Sequence, residues 1–99
     1  MDTRTHSHGE SPLRRTAHEV AAAVAAEWLL EPALLFSKVR NKRVWSARRE
    51  LWWRLAKLGF GTSEMGLLFD RDHSTIGAGI KKRRAEEKQK RRDVKGAAR

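Results

Sequence analysis

Between Val44 and Leu58 apolar residues return every three or four positions, at Val44, Ala47, Leu51, Leu55 and Leu58. That is the period of an α-helix with one apolar stripe. Trp45 and Trp52, seven apart, widen the stripe, while Arg48, Arg49, Arg54 and Lys57 fall off it. Upstream, Thr16 to Leu30 is Ala-rich with Val20 and Val24 four apart, which predicts a first helix. Glu31-Pro32 breaks it. Pro32 suits the opening turn of a short segment, PALLFS, because the first helical position has no N–H to lose. KVRNKR (38–43) then reads as a loop that turns at Asn41.

Gly59 and Gly61 end the central helix, where a left-handed residue is needed. Thr62 and Ser63 are expected to cap the next one, SEMGLLF, about two turns long, with Met65, Leu68 and Phe69 buried. A turn at Asp70-Arg71 leads into a last helix capped by Asp72 or Ser74, with Ile76 and Ile80 facing the core. Past Arg84 the apolar face disappears. AEEKQKRRD can stay helical through charge pairs, whereas VKGAAR is expected to fray. No strand pattern survives, so the fold class is all-α. The expected organisation is a disordered tail over residues 1–13, one small helical domain over 14–87, and a basic tail over 88–99.

Charge changes the picture most. The 99 residues carry 22 Lys and Arg against 12 Asp and Glu, a net +10. The excess sits in two places: the stretch KVRNKR with ARR (47–49), and the segment from Lys81 to Arg99. Two basic patches on so short a chain suggest a polyanionic partner, most often nucleic acid. Cysteine is absent, so nothing points to export or to a thiolate metal site. There is no apolar leader and no run long enough for a membrane span, and a cytoplasmic, nucleoid-associated location is expected. His6 and His8 form an H-x-H pair with no further ligand nearby, so no metal is expected. Among the tryptophans, Trp28 and Trp52 read as core and Trp45 and Trp53 as part-exposed.

The stretch DRDHSTIGAGIKKRR (70–84) carries the candidate chemistry. A short helix, a tight turn and a second helix that opens with short polar side chains is a helix-turn-helix pattern, whose second helix reads base edges in the major groove. Aspartate can accept from cytosine N4, histidine and hydroxyls can bond several edges, and a threonine methyl can pack on the thymine methyl. The same residues could instead serve only as caps. Asp72, His73 and Ser74 have the letters of a catalytic triad, but neighbours in sequence cannot supply triad geometry. There is no P-loop and no H-E-x-x-H spacing. No enzymatic activity and no cofactor are expected.

Met65-Gly66-Leu67-Leu68-Phe69-Asp70-Arg71-Asp72-His73-Ser74-Thr75-Ile76, with Ser37-Lys38-Val39-Arg40 and Ala47-Arg48-Arg49 upstream, resembles the C-terminal DNA-binding domain (domain IV) of the bacterial replication initiator DnaA. The resemblance covers about residues 16 to 84. It implies a Trp-repressor-like helix-turn-helix domain in which Asp72, His73, Ser74 and Thr75 reach the major groove and Arg40 enters the adjacent minor groove. It further implies phosphate contacts from Lys38, Lys42, Arg43, Arg48 and Arg71, with Thr62 and Ser63 at the next helix start. The chain departs from the family pattern in four ways: a single Asp70 stands where the family has Gly-Gly, Val39 replaces a commonly basic residue, the basic loop is one residue longer before Ala47, and Gly77 and Gly79 lie inside the last helix. The initiator's ATPase signature is missing from this chain.

The expected function is therefore sequence-specific binding of double-stranded DNA, as a small bacterial transcription regulator with a DnaA-type reader. Such a reader would act as a monomer on DNA, with a second regulatory protein or RNA polymerase as a further partner. The alternatives are a modulator of replication initiation that occupies DnaA-box-like sites, or an adaptor that uses the same surface for protein contacts.

Overall fold

The computed structural model describes residues 12–97, with side chains described as far as Arg91. The expectations for His6, His8 and most of the N-terminal tail lie outside the described residues. The described chain contains four α-helices and no strand: α1 (Pro12–Trp28), α2 (Lys42–Lys57), α3 (Thr62–Phe69) and α4 (His73–Ala97), with a 3-10 turn over Pro32–Phe36 between the first two. All-α is correct, and each helix read from periodicity is present. The boundaries moved for identifiable reasons.

Helix α1 begins at Pro12, four residues before the expected start, because proline's fixed φ fits a first helical turn. Leu13, Ala17, Ala21, Val24 and Ala25 form its buried face. It stops at Trp28, since Leu29 takes a left-handed φ of 55°. Pro32 then opens the 3-10 turn, as expected.

Two residues of the expected basic loop, Lys42 and Arg43, are helix. The Asn41 side-chain carbonyl accepts from the backbone N–H groups of Arg43 (2.9 Å) and Val44 (3.2 Å), so α2 starts at Lys42. Its stripe is buried at Val44, Ala47, Leu51 and Leu55, but Leu58 lies past the helix end and is 60% exposed. The larger correction concerns the other side. Arg48, Arg49 and Glu50 are buried as well, because the 3-10 segment closes over Arg48 while α4 meets Arg49 and Glu50.

Trp52 sits fully buried at the centre, edge-on to Phe69 and Trp45 at ring separations of 6.1 and 5.5 Å. Trp28, Trp45 and Trp53 are half-buried. Gly79 explains itself against this ring. A Cβ there would lie 3.0 Å from two Trp52 ring carbons and 3.2 Å from Arg49 Cγ, so glycine lets α4 cross α2 closely.

Around the core runs a ring of charge. Glu50 accepts from Arg54 (2.6 Å) and from Arg83; Arg54 also binds Glu27 (2.7 Å) and Arg83 binds Glu87 (3.1 Å). Arg49 and Glu86 approach to 3.4 Å. The Arg83 guanidinium lies 4.2 Å from the centre of the Trp53 ring. These contacts tie α1, α2 and α4 together. They also help α4 remain helical through Ala97, beyond the point where fraying was expected.

Candidate nucleic-acid interface

The N-cap of helix α3 is Gly61 rather than Thr62 or Ser63. Glu64 in its first turn reaches back to accept from the Gly61 N–H at 2.9 Å, leaving Thr62 and Ser63 inside the first turn. Their hydroxyls are thus not needed as caps. Ser63 is exposed and Thr62 half-buried. The helix ends at Asp70, whose left-handed φ of 55° and ψ of 53° reverse the chain in one residue. Aspartate tolerates that region better than most side chains, so Asp70 makes the turn without a glycine.

The reversal is tight. Arg71 N–H donates to Gly66 O at 2.9 Å, and a Cβ on Gly66 would lie 2.8 Å from Arg71 O. Glycine at 66 is therefore required for α3 to pass under the turn. Asp72 then caps α4. Its carboxylate Oδ1 accepts from the Ser74 N–H at 3.0 Å, while its carbonyl receives the N–H groups of Thr75 and Ile76. The Ser74 N–H bond, helped by nearby His73, holds the Asp72 carboxyl below the usual aspartate range. His73 Nδ1 lies 3.4 Å from Oδ1. Asp72, His73, Ser74 and Thr75 are all exposed, while Ile76 behind them is fully buried. The four side chains therefore form a polar tip on a helix anchored by its next residue.

The basic stretch reaches this tip through three stitches. Lys38 Nζ donates to Asp70 O at 2.6 Å and lies 3.5 Å from its carboxylate. Arg71 donates to Ser37 O at 2.9 Å. Arg48 donates to Leu34 O at 3.2 Å and to Ser37 O at 2.5 Å. Together they close a cleft walled by Lys38, Arg40, Lys42 and Trp45, with Arg48 and Arg71 at its back.

The six cations proposed for DNA from sequence thus divide. Arg48 is 2% exposed and holds the loop from inside, so its expected phosphate contact is corrected to a structural role. Burial, followed by the positive charge of Arg71, pushes its guanidinium below the ordinary arginine value. Arg43 is tethered as well, donating twice to Trp28 O (3.1 Å for Nε) with its guanidinium over the Trp28 ring. Lys38 and Arg71 keep surface while fastening loop to turn. Arg40 and Lys42 are exposed and have no partner among the described residues. The stitches escaped the sequence reading because the Lys38 and Arg71 ones join residues more than thirty positions apart, and the Arg48 ones residues 14 and 11 apart.

Among the described residues there is no group of three or more His, Asp or Glu placed to hold a metal ion, and no helix is long and apolar enough to cross a membrane. Comparison with family models, with characterised proteins and with solved structures returned no match.

Proposed function

We propose that the chain binds double-stranded DNA sequence-specifically, and that α3, the turn and α4 act as a helix-turn-helix of DnaA domain IV type within a small bacterial transcription regulator. One observation carries the reading. The exposed polar tip at Asp72–Thr75 and the unpartnered cations Arg40 and Lys42 are held on one framework by the Lys38–Asp70 and Arg71–Ser37 contacts. A rigid set of short side chains beside a movable cation is what base reading combined with phosphate anchoring requires. His73, Ser74 and Thr75 face the major groove, Asp72 both caps the helix and presents its exposed carboxylate to a base edge, and Arg40 reaches into the adjoining minor groove. Lys42, Lys38 and Ser63 meet phosphates. The cap role of Asp72 and the reading role are compatible because the capping carboxylate stays exposed.

The experiment is selection of bound sites from a random duplex library at near-physiological salt, with a His73→Ala protein in parallel. The expected result is an enriched motif that blurs in the variant, with specific binding at least about 10³ tighter than binding to random duplex. Tight binding with no enriched motif would reduce the function to packaging DNA by charge. Absence of duplex binding would leave the polar tip as a protein-contact surface.

A further inference from the structure

Helix α4 carries more than its tip. Lys81, Arg84, Lys88 and Arg91 follow one another at steps of three, four and three residues, and all four are exposed. At 3.6 residues per turn they fall within an arc of about 80°. The same arc passes through Gly77 and His73, with Ser74 at its edge, so the cations continue the line on which two of the proposed reading residues sit. From His73 to Arg91 the line runs about 27 Å at 1.5 Å per residue.

The acids of this helix are sorted to the other side. Among the described residues, Glu86 reaches Arg49 of α2, and Glu87 pairs along α4 with Arg83, whose guanidinium also binds Glu50 of α2. A solvated helix face ordinarily interleaves its signs in i,i+4 pairs. Here Arg49 of α2, buried, and Arg83 of α4, half-buried, draw the acids inward, and among the described residues Arg91 is the one ridge cation that shares an acid, 3.8 Å from Glu87. The charge ring that stabilises the core thereby leaves the opposite face cationic. That face has no apolar seam, which a partner helix would need. Its partner must be met through charge alone.

We propose that this ridge is a second DNA-contact surface, taking successive phosphates of one strand beyond the bases met by the tip, so that α4 lies along the duplex rather than standing on it. Phosphates on one strand recur about every 3.4 Å of duplex axis, so a 27 Å ridge spans several of them. The inference rests on the DNA-binding reading above.

The test compares two charge-matched double variants of the full chain, Lys81→Gln with Lys88→Gln on the ridge and Lys82→Gln with Lys90→Gln off it. Circular dichroism checks that both keep the wild-type helix content. Binding to duplex DNA is then measured across a salt series, together with a hydroxyl-radical footprint. The ridge pair should flatten the slope of log K against log salt by about two, at close to 0.9 per phosphate contact. It should also shorten the footprint on one flank. The off-ridge pair should change the slope by well under one. Equal slopes for the two pairs, or no change in either, would overturn the ridge. If the wild-type chain binds duplex without preferring a sequence, the reading of bases falls while a difference between the pairs still upholds the ridge. If it binds no duplex at low salt, both proposals fall.

Discussion

Arg40 and Arg48 stand eight residues apart in one basic stretch, and the tertiary structure gives them opposite employment. Arg40 projects from the loop with no partner among the described residues, whereas Arg48 is buried and donates to two backbone carbonyls of the segment that carries the loop. The same division separates the charge ring at Glu50 from the polar tip at Asp72–Thr75. In the first, charges are satisfied inward and hold helices together. In the second, they are left outward on a framework that others have made rigid. Positive charge in the sequence does not say which of the two a residue will serve; burial does.

The largest expected effect tests the inward set. Glu50→Ala removes the acceptor shared by Arg54 and Arg83. Losing one member of a buried pair costs about 3–5 kcal/mol; because Arg54 and Arg83 remain 30% and 14% exposed, the low end, about 3 kcal/mol, is expected in urea unfolding. The site also predicts an acid dependence. Burial pushes the Glu50 carboxyl up, but the bonds from Arg83 and Arg54 outweigh it and hold the group below the usual glutamate range. A depressed folded value contributes stability that is complete above the unfolded value of about 4.3 and is lost as pH falls through the lower folded value. Glu50→Gln should remove that dependence, and an unchanged acid limb in the variant would contradict the assignment.

Next comes the direct contrast. Arg48→Ala removes bonds from a buried guanidinium to Leu34 O and Ser37 O, each of which keeps another donor; at about 1 kcal/mol for each bond lost, it should destabilise the fold by about 2 kcal/mol. Arg40→Ala should change stability by less than about 0.5 kcal/mol. Its effect should appear in DNA binding, most where the adjoining minor groove is A/T-rich. Similar stability losses for the two would erase the distinction drawn here.

Thr75→Ala sharpens the outward set alone. It should weaken binding to the selected site by about 1–3 kcal/mol while leaving random duplex unaffected, with no change in the unfolding midpoint. An equal loss on both DNAs would mean that Thr75 touches only backbone. The smallest effect is expected from Asp72→Asn, because asparagine caps as well as aspartate. Helix content should be preserved, so a shift in preferred bases read by site selection would isolate the part of Asp72 that is not cap.

Much of the architecture was legible without coordinates, and for local reasons. Periodicity in 44–58, the Pro32 break and the Gly59 stop all act within a turn or two of chain, where a residue's neighbours in sequence are its neighbours in space. The exposed cluster at Asp72–Thr75 was legible for the same reason: short polar residues ahead of Ile76 and Ile80 fall at a helix start. Even the Asn41 cap was within reach, since asparagine before Lys42-Arg43-Val44 is a start signal as much as a turn signal.

What the chain alone could not decide is where its charges go. Arg48, Arg49 and Glu50 look like a solvent face on a single helix, and they are buried because the 3-10 segment closes over Arg48 while α4 meets Arg49 and Glu50. Gly66 and Gly79 look like losses of helix propensity until Arg71 O and the Trp52 ring are found where their side chains would be. Lys38 meets Asp70 across thirty-two residues of chain. Periodicity along one helix reports which face is apolar, but not which polar residues a second and third helix will cover. That depends on contacts distant in sequence, and only the packed structure supplies them.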